Sequence, residues 1–221
     1  MNKQTKEIKQ DELLDLFSGS GSVKKVCKPL NIKCTSLDIS SKYSTPDIEV
    51  DILKWDYKNS GYKPGHFKII FAGIPCTEYS RLQNVNRVLY GREPDLRGAN
   101  KISRKTLEII EYFKPDYYFI ENPESSTLKH QSFMKNIPYY TVSYCKYGFL
   151  YQKNTRIFTN LKGFDPKYCK NDCRKAKMNG GRHPLTIGDR NDNVSKNVTS
   201  LKQKYSYPSK LIKDLLTLAT K

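Results

Sequence analysis

With 221 residues, 37% of them hydrophobic and 28% charged, the chain is long enough for one domain with its own core and too apolar to be disordered. No apolar run reaches membrane-span length, six cysteines are too few for a disulfide scaffold, and the charged first twelve residues lack the apolar core of a signal peptide. The expectation is an intracellular protein, cytoplasmic or nuclear rather than secreted, with reduced thiols, and its net charge of +17 points to a phosphate-bearing partner.

The elements alternate in type along the first half. Residues 13–17 read as a buried strand that runs into the turn Ser18-Gly19-Ser20-Gly21, and a helix follows from Ser22 to near Pro29. Strands are expected over 32–37, ending at Asp38, over 48–52, and over 67–72. Residues 103–113 have helical spacing through Leu107, Ile110 and Phe113, and stop before Pro115. Further strands fall at 117–120, 139–144 and 156–159. Residues 161–203 break the alternation, being rich in Lys, Asn, Gly and Asp. Pro208 then opens an amphipathic helix carrying Leu211, Ile212, Leu215 and Leu216. Strands alternating with helices predict an α/β, doubly wound, mostly parallel sheet. The whole of 1–221 is taken as one domain, with 161–203 a short basic insertion and 204–221 a C-terminal helix packed back on the domain.

In such a sheet, ligands bind beyond the carboxyl ends of the strands. Gly19, Gly21, Asp38, Asp51, Pro75-Cys76 and Glu121 all fall at such ends. The Gly-x-Gly turn fits either a close backbone approach to a ligand or an ordinary tight turn. Asp38 follows it at the spacing of a ribose-binding acid. Asp51 fits an acceptor for an adenine amino group, or equally a turn aspartate. Cys76, with Arg81 nearby in sequence, reads as an activated nucleophile or as a buried structural thiol. Glu121 reads as a proton-exchanging carboxylate or as an ion-paired one. His66 and His130 have no evident partners and read as surface residues.

The positive charge is unevenly placed. Residues 1–80 carry 12 Lys/Arg against 10 Asp/Glu, and residues 81–221 carry 27 against 12. The basic half is interleaved with Tyr147, Tyr151, Tyr168, Tyr205 and Tyr207, a composition that suits a nucleic-acid face, although charge for solubility alone gives the same count.

Taken in order, four stretches resemble the motifs of the DNA cytosine-5 methyltransferase family. Asp15-Leu16-Phe17-Ser18-Gly19-Ser20-Gly21 resembles its first cofactor motif, Pro75-Cys76 its nucleophile motif, Glu121-Asn122-Pro123 its Glu-Asn-Val motif, and Gln152-Lys153-Asn154-Thr155-Arg156 its Gln-x-Arg-x-Arg motif. The resemblance covers about residues 12–160, and more loosely 203–218. It implies a Rossmann-like fold that binds S-adenosylmethionine (AdoMet) and transfers its methyl group to C5 of cytosine in DNA, with the base flipped out of the duplex. By the same resemblance Cys76 is the nucleophile that adds to C6, Glu121 the partner of N3, and Arg156 a contact to the base and the nucleophile loop. Asp15, Phe17, Ser18, Gly19, Gly21, Asp38, Ile39, Asp51, Ile52, Ile74 and Pro75 are the implied cofactor contacts. Asn154 stands where the family has its first arginine, and Pro123 where it has valine. Methylation of tRNA cytosine and a catalytically silent nucleic-acid binder are the alternatives. An amino-methyltransferase is disfavoured, because Ile74-Pro75-Cys76-Thr77 replaces the Asn/Asp-Pro-Pro-Tyr of that class.

The family's recognition domain is normally a long insertion before the last motif, and 161–203 leaves about 40 residues for it. Its basic residues Lys162, Lys167, Lys170, Arg174, Lys175, Lys177, Arg182 and Arg190 suit phosphate contacts, which position without reading sequence. The expectation is a monomer whose base preference extends little beyond the cytosine, or one that takes recognition from an accessory subunit. Cys169 and Cys173, with His183 and Cys145, match the donor types of a structural zinc site, or else are incidental thiols in a polar loop.

Overall fold

The computed structural model describes residues 11–80, 82–187, 196–198 and 200–221. Arg81 and the segment 188–195, which includes Arg190, lie outside the described residues.

Seven strands form one sheet in the order β3-β2-β1-β4-β5-β7-β6. β1 (Glu12–Leu16), β2 (Lys33–Asp38), β3 (Ile48–Glu49), β4 (Ile69–Gly73) and β5 (Tyr117–Pro123) pair in parallel. β6 (Tyr139–Ser143) and β7 (Asn154–Thr159) close one edge, with β7 antiparallel to both β5 and β6. The mostly parallel, doubly wound expectation holds. The third strand is shorter than the predicted 48–52, because Asp51 already turns the chain, its Oδ1 accepting from Leu53 N at 2.9 Å.

The central strands are buried on both sides, so they read as unbroken apolar runs. Ile69, Ile70, Phe71 and Ala72 are each at most 1% exposed. On one face Leu13, Phe71, Phe119 and Ile157 pack against α1 (Ser22–Cys27) and the C-terminal helix Ser209–Ala219. On the other face Leu14, Leu16, Ile70, Ile120 and Phe158 meet Ile109 and Phe113. Burying each such side chain stabilises the fold by roughly 1.5–3 kcal/mol.

Two helices lie between β4 and β5: α2 (Leu82–Tyr90), which has no counterpart in the sequence reading, and α3 (Leu96–Phe113), which starts seven residues before the predicted helix. Asp95 caps α3, accepting from Gly98 N at 2.8 Å. The basic insertion is less irregular than its composition suggests. It holds a short α4 (Arg174–Lys177), a parallel pair of β8 (Leu185–Thr186) and β9 (Lys196–Asn197), and α5 (Leu201–Lys204). The final helix, α6 (Ser209–Ala219), buries the predicted stripe Leu211, Ile212, Leu215 and Leu216. No helix among the described residues is long and apolar enough to cross a membrane.

Two surface assignments need correction. His66 has a partner, its Nε2 lying 2.8 Å from Glu12 Oε2, and its ring packs between Tyr62 and Phe67. Tyr147 and Tyr151 are not part of an exposed face. They are 3% and 0% exposed and belong to the core, because the apolar ring outweighs one hydroxyl that finds a partner. Tyr168 and Tyr205 are the exposed members of the tyrosine set, and Tyr207 is partly buried, packed against the sheet.

Candidate active site

Register decides which residues share a face. Asp15 pairs with Ser36 and Phe71, and Gly73 pairs with Glu121. Alternation along each strand then puts Asp15, Asp38 and Glu121 on the α1/α6 face, at the carboxyl ends of their strands. The turn after β1 leads directly into α1. Phe17, Gly19 and Gly21 have positive φ angles of 61°, 47° and 70°. The last of these sets the entry to α1 in a conformation that glycine adopts without strain. Asp38 Oδ2 accepts from Gly19 N at 2.8 Å, and Ser44 Oγ donates to Gly19 O at 2.7 Å, fixing the loop from both sides.

Asp15 is treated differently. It is 1% exposed, and among the described residues neither of its carboxylate oxygens has a hydrogen-bond partner, nor does the nearby buried Ser18 Oγ. Burial, and then the charge of Asp38, hold its pKa well above the ordinary carboxylate range. A bare buried carboxylate calls for a cation or a donor from outside the chain.

Cys76 lies three residues beyond β4. Asn122 Nδ2 donates to Ile74 O at 3.1 Å, which ties the start of this loop to the end of β5. The loop is also closed on itself, with Tyr79 N donating to Cys76 O at 3.1 Å, and its far end is held by Thr127 N on Tyr79 O at 2.9 Å. Tyr79 is fully buried and donates to Asn100 Oδ1 at 2.7 Å, which anchors the loop to α3. Burial and the neighbouring Glu121 charge push the Cys76 thiol up, while Lys153 pulls it down. A groove of about 530 Å³ is lined by Cys76, Pro123, Glu124, Gln152, Lys153 and Asn154, with Tyr205 among its other walls.

Glu121 is buried and accepts from the Tyr144 hydroxyl at 3.0 Å. Arg156 does not join it. β5–β7 pairing sets Asn122 opposite Arg156 and Glu121 opposite Ile157, so Arg156 projects from the other face of the sheet. Its Nη1 donates to Glu124 O and its guanidinium lies 5.4 Å from the centre of the Tyr139 ring. It braces the loop after Pro123. Of the other predicted contacts, Ile39 is 67% exposed beside Asp38, whereas Ile52 and Ile74 are 4% and 2% exposed and belong to the core. Asp51 lies two residues past the end of β3, occupied with its own turn.

A second cluster lies beside this groove. The Sγ atoms of Cys145, Cys169 and Cys173 and a ring nitrogen of His183 lie within 4.8 Å of one another, and all four residues are buried. Cys173 Sγ and Cys169 Sγ are 3.3 and 3.7 Å from His183 Nε2. Tetrahedral zinc with Zn–S bonds of about 2.3 Å needs donors about 3.8 Å apart, so the cluster has the right dimensions. It is tied to the groove wall: Gln152 Nε2 donates to Cys169 O at 2.7 Å, and Cys169 N donates to Ser143 Oγ at 2.9 Å, which in turn donates to Asn154 Oδ1 at 2.6 Å.

Comparison with known proteins decides the family. A Frog virus 3 (isolate Goorha) protein named "Probable DNA (cytosine-5)-methyltransferase" is 32% identical over 218 residues, covering 93% of this chain and 99% of that protein. The chain belongs to the DNA (cytosine-5)-methyltransferase family. A solved structure of a candidate DNA modification methyltransferase encoded within an E. coli prophage shares the fold, with a TM-score of 0.50 at 14% identity, over 68% of this chain and 46% of that one. No protein-family model matches. Membership in this methyltransferase family brings AdoMet with it, and the crevice fits: the bare carboxylate of Asp15 and the orphaned Ser18 hydroxyl suit a ligand that carries an ammonium and a sulfonium.

Tyr144, Tyr207, Asn122 and Lys153 are the site residues that the sequence reading missed. Tyr207 fills the space where a side chain at Gly73 would sit, since a Cβ there would come within 1.9 Å of its hydroxyl oxygen. The glycine at the end of β4 is the one signal that something packs that closely.

Proposed function

We propose that the chain transfers a methyl group from AdoMet to C5 of cytosine in DNA, through a covalent bond between Cys76 Sγ and C6. The observation that carries this reading is the pairing of Cys76 with Glu121 at two adjacent strand ends, close enough for the glutamate charge to raise the thiol pKa. The Cys76 thiolate adds to C6, and the electron pair displaced from the 5,6 double bond makes C5 nucleophilic. Glu121 donates a proton to N3 and accepts from the exocyclic amine of the base, which neutralises the negative charge that develops there, and it takes the proton back as the ring is restored. AdoMet supplies an electrophilic methyl group, which C5 accepts. Loss of the C5 proton then expels the thiolate and restores the ring.

Asp15 faces the cationic end of AdoMet, Asp38 receives its ribose hydroxyls, and the backbone from Phe17 through Ser18 and Gly19 to Gly21 approaches it closely. Ile39 and the turn of Asp51 border the adenine and Pro75 the reacting methyl, with Ile52 and Ile74 supporting the pocket from the core. The target base is flipped into the groove beside Cys76, since C6 is out of reach inside a duplex. DNA as substrate makes the site of action intracellular, and the chain works as a monomer. Cys145, Cys169, Cys173 and His183 hold one structural zinc ion that stiffens the insertion. Incubation of purified protein with tritiated AdoMet and either DNA or tRNA tests the reading. Label at cytosine C5 of DNA supports it, and label confined to tRNA, or none, removes it.

A further inference from the structure

Lys153, not Arg156, is the cation that reaches Glu121. Its Nζ lies 3.3 Å from Glu121 Oε1 and 5.0 Å from the centre of the Tyr144 ring. Both side chains are withdrawn from water, at 17% and 6% exposure. A lysine gives up that much hydration only where an anion replaces the lost water. Because Tyr144 donates to the same oxygen at 3.0 Å, two contacts converge on Oε1, and among the described residues no donor meets Oε2.

The backbone around Lys153 is fixed. Its carbonyl accepts from Tyr144 N at 3.1 Å. Gln152 is anchored to Cys169 O, and Asn154 Nδ2 donates to the Tyr168 hydroxyl at 2.9 Å. With both neighbours held, the ammonium is delivered into the groove that Cys76 lines.

We propose that Lys153 is a positioning residue of the methyl-transfer site, holding Glu121 with Oε2 turned toward the target base and stabilising the Cys76 thiolate. The first half rests on the function proposed above, and the second does not. The groups that face Cys76 are few. Its own burial and the Glu121 charge disfavour the thiolate, while Lys153 and a backbone N–H favour it. Tyr207, on the same side, stays neutral because desolvation of its hydroxyl and the surrounding carboxylates raise its pKa. Lys153 is thus the one positive charge among the described residues that is shown acting on the thiol.

Alkylation of Cys76 by iodoacetamide, followed across pH by peptide mass spectrometry on protein free of DNA and AdoMet, tests this directly. In Lys153→Met the profile should move to higher pH, with Cys76 reacting about three- to ten-fold more slowly near neutrality, and Lys153→Arg should return it toward wild type because a fixed positive charge is restored. Lys153→Gln is the second neutral variant should the methionine prevent folding. Methyl transfer should fall through kcat, with AdoMet affinity unchanged. Superimposable alkylation profiles for wild type and both neutral variants overturn the role of Lys153, whether or not the wild type methylates DNA. Shifted profiles alongside a wild type that never labels DNA overturn the base-facing half, because the function beneath it has failed.

Discussion

The carboxylates of Asp15 and Asp38 sit at the ends of neighbouring strands, one fully partnered and the other bare. Asp38 accepts from Gly19 N at 2.8 Å and from Ser40 N at 3.0 Å, whereas neither oxygen of Asp15 is bonded among the described residues. A buried group left in that state destabilises the protein that holds it, and the chain keeps it where a cationic ligand fits.

Asp15→Asn should therefore separate stability from binding. Because the folded-state pKa is raised, the stabilisation associated with protonated Asp15 is full below the ordinary carboxylate range and is lost as pH climbs through the raised value. Near neutral pH the unliganded variant should be more stable than wild type by about 1–3 kcal/mol, with the gap closing toward acid pH. AdoMet affinity should fall. Urea unfolding across pH, paired with calorimetry, reads both, and a variant that is less stable and binds normally would contradict the placement.

Asp38→Ala should weaken AdoMet binding by about ten-fold or more, the worth of one charged hydrogen-bond pair at roughly 1.5–3 kcal/mol. Part of that loss is indirect, since the Gly19 N–H loses its acceptor. Calorimetry showing unchanged affinity would place the ribose elsewhere.

Elemental analysis of protein purified without a histidine tag should give about one zinc per chain. Cys173→Ser should lose the metal and about 3 kcal/mol of stability, which for a chain of this length lowers Tm by roughly 6–12 °C. Metal-free protein of full stability would leave the four residues as a buried polar cluster.

Arg156 and Cys76 were legible as motif residues, but the face each would occupy was not. In a strand, one residue of offset decides the side of the sheet, and nothing in Gln152-Lys153-Asn154-Thr155-Arg156 reports the offset. That is why Lys153 takes the place beside Glu121. The strands themselves were legible because β1, β4 and β5 are buried on both faces and so read as continuous apolar runs. The first half of α3 was not, because its buried side is built from Ala99, Ser103 and Thr106, whose hydroxyls satisfy themselves on the carbonyls of Ala99 and Ile102. Polar letters hid a buried face. The Cys/His cluster was legible from residue types alone, and the fold supplied the convergence.

Arg156→Met should lower stability by about 1–3 kcal/mol, because the Glu124 carbonyl loses its donor, and should leave AdoMet affinity unchanged. A shifted urea midpoint checks it. An unchanged midpoint with abolished methylation would return Arg156 to the base.

DNA affinity should be steeply salt-dependent, each neutralised phosphate adding about −0.9 to the slope of log affinity against log salt. Lys162, Lys167, Lys170, Arg174, Lys177 and Arg182 are all exposed on the insertion. Bisulfite sequencing of plasmid methylated by the purified protein should show preference limited to the cytosine and one or two neighbours, each worth roughly 1–3 kcal/mol. A strict site of four or more bases would show that the insertion reads sequence.

The central claim is that Cys76 attacks C6 of a cytosine in DNA. An oligonucleotide carrying 5-fluorocytosine tests it most directly, because fluorine at C5 cannot leave as a proton does and the thioether to C6 persists. With AdoMet present, wild type should form an adduct that survives denaturing electrophoresis and maps to Cys76, and Cys76→Ala should form none. Wild type that methylates unmodified DNA yet leaves 5-fluorocytosine DNA untrapped, or an alanine variant that still methylates, would contradict the mechanism.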